Sequence, residues 1–329
     1  MNRNIRTDLA IENSEYLQNS RPNQEINGVE ITVEEDDDLG ITVTWVKITN
    51  EEGADSMGKP MGNYITIESG SLKENDPDTH EEIVKILARK LGKLHNLTEN
   101  SVILVVGLGN WQVTPDALGP KVCEKILVTR HLGDEVPVDL IGKVRAVGAI
   151  APGVMGLTGM ETAEVIKGIT EKICPDLVIA IDALAARRTS RINATIQMSD
   201  TGINPGSGLG NKRMPLNQNS LGMPVIGVGI PTVVDAATLV NDTMDMMLNA
   251  MTQATESENR PFYEMLNQLE DSERYGLIKE VLDPTAGNMF VTPKEVDAVI
   301  GRLAGIIANA LNIALHPGIT TEDVNRYLD

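Results

Sequence analysis

Aromatic residues are scarce: Phe, Trp and Tyr make up 3% of the 329 residues. A core must then be built from Val, Ile, Leu, Ala and Met, which suits stacked α/β layers better than a small β-barrel. Cysteine is nearly absent. Cys123 and Cys174 lack metal-site spacing and cannot form a disulfide framework, so they read as small buried hydrophobes in a reducing compartment. Basic residues are few as well, 28 Lys and Arg against 47 Asp and Glu, leaving a net charge of -19. Such a surface repels phosphate backbones and anionic lipid, which argues against direct nucleic-acid binding or a membrane partner. The chain does not open on an apolar signal segment, and no stretch approaches the length of a membrane span. It reads as cytoplasmic.

What remains is ordinary globular composition, 41% hydrophobic and 23% charged. Residues 1–24 are polar without clear periodicity and read as an exposed arm. Residues 29–68 alternate or run apolar with β-branched residues throughout, predicting strands, and the acidic run Glu34–Asp38 fits a solvated hairpin tip. From about residue 80 the pattern becomes helix and strand in turn. A capping box at Thr79–Glu82 leads into Ile83, Val84, Leu87, Leu91 and Leu94 at helical spacing. Val102–Val106 reads as a buried parallel strand, followed by a Gly107–Asn110 loop and a helix from about Ala117 to Val128. The unit repeats with a strand at Val144–Ile150 and a capping box at Thr158–Glu161 before a helix. A strand at Leu177–Ile181 then ends at Asp182. Pro224–Val228 is a further strand, with helices at about Val233–Met251 and after a capping box at Thr292–Glu295. The expected fold is α/β: a mostly parallel twisted sheet with helices on both faces, phosphorylase- or hydrolase-like, plus an antiparallel β extension at about 25–70. Residues 252–291 are acidic and weakly periodic and read as a surface insertion.

In open parallel sheets the ligand crevice lies beyond the carboxyl ends of the strands. Two segments place acids there, VILVVGLGNWQVTPDALGP with Asp116 and LVIAIDALAARRTSR with Asp182. Each alone reads equally well as a helix N-terminal acid or a turn residue. Together they point to one shared crevice. Two carboxyl groups held close can share a proton, one activating water while the other protonates the carbonyl or leaving group, which suffices for peptide hydrolysis. Competing motifs fail. Gly107-Leu-Gly109 begins a dinucleotide fingerprint, but Gln112 stands where the third glycine belongs. The Gly206–Arg213 segment resembles a phosphate loop, but Asn211 precedes Lys212 and Arg213 replaces the Ser or Thr. His80, His95, His131 and His316 are scattered, and there is no G-x-S-x-G elbow. Arg187, Arg188 and Arg191 form a basic cluster after Asp182, suited either to structural ion pairs or to forking onto a substrate carboxylate.

The runs VGLGNWQVTPDALGP, IDALAARRTSRINATIQMSDTGINPGSGLGNKR and PVIGVGIPTVVDAATLVNDTM, with Arg6–Ala10 near the N-terminus, resemble the germination protease family of endospore-forming bacteria over nearly the whole chain. That resemblance implies an endopeptidase that degrades small acid-soluble spore proteins during germination, located in the spore core. It further implies a self-processing zymogen, a homotetramer and no organic cofactor. The family's proposed catalytic acids fall on Asp116 and Asp182. The fold is also similar to hydrogenase maturation proteases, which keeps a metal-dependent maturation-type protease as the alternative. The family's substrates are cut between an acid and a hydrophobe in a Thr-Glu-hydrophobe-Ala-Ser-Glu setting. Thr7-Asp8-Leu9-Ala10-Ile11-Glu12 is similar to this, which implies cleavage of the Asp8–Leu9 bond, a propeptide of residues 1–8 and a single peptidase domain over 9–329. Glu on both sides of the cut would call for cationic partners, and Arg187, Arg188 and Arg191 are the candidates for substrate binding.

Overall fold

In a computed structural model, which describes residues 7–20, 26–135, 144–206, 213–254, 271–286 and 289–323, the apolar runs assemble into a nine-stranded sheet. Its strands are β1 (Val29–Asp36), β2 (Ile41–Ile48), β3 (Gly62–Ser69), β4 (Val102–Gly107), β5 (Ala146–Ile150), β6 (Leu177–Ala186), β7 (Thr195–Ser199), β8 (Val225–Asp235) and β9 (Phe290–Val291). Their order is β1-β2-β3-β7-β8-β6-β4-β5, with β9 on β8. The β8-β6-β4-β5 group is parallel. The β1-β2-β3-β7 group is antiparallel and joins β8 antiparallel. The fold is thus α/β with a parallel core and an antiparallel extension.

Strand alternation sorts β6 between two layers. Leu177, Ile179 and Ile181 face the large core with Ile83, Leu118, Ile300 and Leu303 from the helices Pro77–Leu94, Leu118–Lys125 and Val296–Leu315. Val178 and Ala180 face the other layer with Ala163 and Ile166 of the helix Thr162–Ile173. Asp182 and Leu184 continue this second row, so the acid points to the thinner layer. The chain passes from β4 outward to β5 and then back across β4 to β6. The strand order therefore reverses between β4 and β6, and a crevice opens beyond their carboxyl ends.

Several expectations are corrected. Strand β6 does not stop at Asp182 but runs to Ala186, because β8 continues the ladder beside it as far as Val234. Strand β7 had no signal of its own, being five residues long with polar side chains on one face. The N-terminal arm is not exposed throughout: residues 10–20 form a helix, and Leu9, Ala10 and Ile11 are buried. Residues 1–6 and 21–24 of that arm lie outside the described residues, as do 207–212 of the glycine-rich segment and 255–270 and 287–288 of the acidic insertion. Within the insertion, Asp271–Ala286 is helical. The helix after residue 76 is capped by Asp76, which accepts from the Thr79 amide, so the start lies three residues before the Thr79 box. Cys174 is exposed rather than buried, sitting at the helix C-cap in a left-handed conformation. One stretch, Val296–Leu315, is after all long and apolar enough to cross a membrane. It is the central core helix, packed against Pro77–Leu94 and Leu118–Lys125.

Arg191 ties the N-terminal helix to the sheet. Only 6% exposed, it binds Glu15 through two nitrogens at 2.6 and 2.9 Å and Glu68 of β3 at 2.7 Å, and lies 3.6 Å from Glu12. Glu12 itself is buried and also accepts from the backbone amides of Arg187 (2.7 Å) and Arg188 (2.9 Å). Removing one member of such a set leaves uncompensated charge out of water. Arg191→Ala is expected to cost about 3 kcal/mol in urea unfolding and to expose the 10–20 helix to limited proteolysis.

Candidate active site

The loop after β4 is shaped by backbone contacts that leave no room for side chains. Gly109 adopts φ +113, and a Cβ there would meet the Asp116 carbonyl oxygen at 1.9 Å. That close approach lets the Asn110 amide donate to the Asp116 carbonyl at 3.0 Å, folding Thr114–Asp116 back as a single 3-10 turn. The Leu108 amide donates to Ile181 of β6 at 2.8 Å, locking the loop to the strand that carries Asp182. From β8, the Thr232 hydroxyl donates to the Pro115 carbonyl at 2.7 Å and holds the turn from the other side.

Asp116 and Asp182 are brought together on one cavity of about 380 Å³. Its walls are mostly apolar, with Leu108, Val154, Leu184 and Phe290 among them, and the basic Arg213 belongs to the same lining. Asp182 is 6% exposed. Burial holds its carboxyl well above the usual carboxylate range, and the Asp116 and Asp8 carboxylates push the same way. The Ala183 amide, donating to Asp182 Oδ1 at 2.9 Å, and the Arg213 charge only partly oppose this. Burial raises Asp116 as well, against the Asn110 amide and Arg213. The cavity thus holds two acids that resist ionising together. Among the described residues no group of three or more His, Cys, Asp or Glu side chains is placed to hold a metal.

The other residues singled out in the sequence sit along the strand beyond Asp182. The Asp8 amide donates to the Ala185 carbonyl at 3.0 Å, and the Ala185 amide to Asp8 Oδ2 at 2.9 Å. Leu9 is fully buried in a cluster with Leu184, Ala186 and Val234. The segment Thr7–Glu12 therefore lies docked against the end of β6. Arg188 reaches Glu15 at 3.4 Å, and Arg191 is enclosed by Glu12, Glu15 and Glu68. These arginines surround the N-terminal segment rather than the cavity of the two acids. Sequence reasoning passed over Arg213, set aside with the failed phosphate loop. The basic pair Lys212-Arg213 in a glycine-rich stretch of an acidic chain was the available signal. Thr232 gave none. His316, among the histidines, is a buried structural residue, accepting from the Arg145 amide at 3.2 Å with its other ring nitrogen 3.1 Å from the Leu127 carbonyl.

The raised Asp182 makes a stability prediction. Folded Asp182 binds its proton more tightly than the unfolded chain does, so stability falls as pH rises from about 3.9, the unperturbed value, through the folded pKa. Asp182→Asn, neutral throughout, should unfold at a higher temperature than wild type at pH 7–8. That advantage should vanish below about pH 4, as thermal unfolding across pH will measure.

The chain has full-length relatives among known proteins. A family model described as germination protease matches residues 6–267 and 256–328. A germination protease of Clostridium perfringens is 51% identical over 329 residues, covering 99% of both chains. That of Caldanaerobacter subterraneus is 48% identical over 324 residues, 98% of each chain. A Bacillus cereus relative is 44% identical over 357 aligned residues, 98% of this chain and 96% of its own. A NiFe hydrogenase maturation protease from Thermococcus kodakarensis aligns with 64% of this chain and 92% of its own, at 17% identity and a TM-score of 0.29. That superposition is too loose to carry an argument. Full-length identity near one half, shared across three genera, leaves one assignment: the chain belongs to the germination protease family.

Proposed function

We propose that this protein is an endopeptidase that degrades small acid-soluble spore proteins during germination, with Asp116 and Asp182 as its hydrolytic pair. The observation that carries the reading is the meeting of these two acids, Asp182 buried and Asp116 half-buried, on one cavity where the strand order reverses. Asp182, the more strongly raised, holds the proton; Asp116 is the base. Asp116 takes a proton from water, the water oxygen bonds to the peptide carbonyl carbon, and Asp182 gives its proton to the amide nitrogen as the C–N bond breaks. Arg213 steadies the negative charge that remains on the pair.

The same reading makes the chain a self-processing zymogen cut at Asp8–Leu9, acting as a homotetramer in the spore core. Supporting this, the substrate-like segment Thr7–Glu12 is docked at the end of the strand that bears Asp182. Glu12 stands where the substrate's downstream Glu would lie, and it is received by the Arg187 and Arg188 amides and by Arg191. A substrate would take that place once residues 1–8 are released and Leu9–Glu12, which remain attached, are displaced, which gives the arginine cluster its substrate-binding role.

Cleavage of a Thr-Glu-hydrophobe-Ala-Ser-Glu peptide tests the proposal. Asp116→Asn and Asp182→Asn should each lower kcat by roughly 10³-fold or more while leaving the fold intact by circular dichroism. Wild-type activity should survive a chelator. Loss on chelation, restored by metal, would favour the metal-dependent maturation-type alternative, and active Asn variants would refute the pair.

A further inference from the structure

We propose that Lys59 and Gln197 are the donors that take up the charge developing on the peptide carbonyl oxygen during cleavage. The chain shows them seated on the Asp8 carbonyl of its own Asp8–Leu9 bond. This rests on the reading of that bond as the self-processing site.

Two hydrogen bonds converge on the Asp8 carbonyl oxygen. Lys59 Nζ donates at 2.8 Å and Gln197 Nε2 at 3.1 Å. The Gln197 amide cannot be turned round without loss, because its Oε1 accepts from the Ala10 amide at 2.6 Å. One side chain thus grips the backbone on both sides of Leu9. The acyl oxygen of one particular peptide bond therefore has two preorganised donors, one of them cationic, in a partly buried site. That is the arrangement that stabilises a tetrahedral oxyanion.

Both donors are placed by rigid local structure. The short helix Glu51–Met57 is capped by Asn50, which accepts from the Gly53 amide at 2.8 Å, and ends at Gly58 with φ +61. This left-handed turn starts the chain on the path that carries Lys59 to the Asp8 carbonyl, and the Tyr64 hydroxyl pins the next carbonyl, of Pro60, at 2.9 Å. Burial pushes the Lys59 ammonium below the ordinary lysine value, against the pull of the Asp8 and Glu12 carboxylates. A cation so desolvated interacts strongly with new negative charge nearby.

The sheet places these donors in line with the acids. Gln197 of β7 is paired with Gly229 of β8, and Gly229 with Asp182 of β6. Paired residues share a face, so Asp182 and Gln197 lie in one row, about 10 Å apart across a single strand. The residue between them is a glycine, which leaves that face of β8 without a side chain. A Cβ on Gly229 would meet Leu184 at 2.6 Å. The cavity around the donors, about 260 Å³, shares Leu184 with the cavity of the two acids.

In the step itself, water loses a proton to Asp116 and its oxygen bonds to the Asp8 carbonyl carbon. The carbonyl π pair moves onto oxygen, where Lys59 and Gln197 hold it. The pair returns as the C–N bond breaks, Asp182 protonates the Leu9 nitrogen, and the products are an Asp8 carboxylic acid and a Leu9 amine.

The test follows self-processing of the full chain by mass spectrometry, scoring the fragment that begins at Leu9. Lys59→Met and Gln197→Met should each slow its release by roughly 10²-fold. Lys59→Arg, which keeps the charge, should slow it less. Hydrogen exchange over residues 11–17, which leaves out the Ala10 amide that Gln197 itself accepts from, should stay as protected as in wild type. Wild-type rates in both Met variants would overturn the proposal. So would slow release with lost protection, since the two residues would then merely dock the segment. Asp116→Asn run in parallel separates the readings. Full processing there sinks the aspartate mechanism, whereas a dead Asp116→Asn beside a fully active Lys59→Met and Gln197→Met sinks the donors alone. A wild-type chain that never yields the Leu9 fragment ends both.

Discussion

Taking a carboxyl group out of water raises the cost of ionising it, and a second carboxyl in the same enclosure raises it again. In a cavity with mostly apolar walls, Asp182 is held under both penalties and Asp116 under the first. Much of the surrounding structure maintains that enclosure. The Leu108 amide clasps β6, Gly109 gives up its side chain so the Asp116 turn can close, and Thr232 braces the turn from β8. The core helices on the opposite face supply the burial that keeps β4, β6 and β8 in register.

A second electrostatic problem is solved one layer out. A chain of net charge -19 must keep its own acids from repelling one another wherever they are brought together. At the N-terminal helix Glu12, Glu15 and Glu68 meet, and Arg191 is enclosed among them. Arg191 lowers the Glu15 pKa despite its partial burial. This hub fixes the helix that begins at Ala10, and so sets where Thr7, Asp8 and Leu9 lie on the end of β6. The two clusters are coupled through Asp8, whose carboxylate acts on Asp182.

Much of the fold was legible in order but not in extent. The apolar runs at 102–106, 177–181 and 224–228 announced buried parallel strands, since only strands covered on both faces need continuous hydrophobicity. Their ends were misread because a strand stops where its ladder partner stops. The β6–β8 ladder runs past Asp182, whereas β4 ends at Gly107. The N-terminal helix was missed because its apolar positions are few. It is held by Arg191 and by burial of Leu9, Ala10 and Ile11, partners distant in the chain.

The amino-acid order by itself determined the α/β class, the antiparallel extension and the two acid-bearing segments, because periodicity and strand-end chemistry are local properties. Only the tertiary structure decided that Asp116 and Asp182 share a cavity, that Arg213 lines it with them and that Arg191 is enclosed by glutamates. It alone set Lys59 and Gln197 on the Asp8 carbonyl. Each of these depends on pairing residues from 31 to 189 positions apart through the sheet, and no local pattern encodes such a meeting.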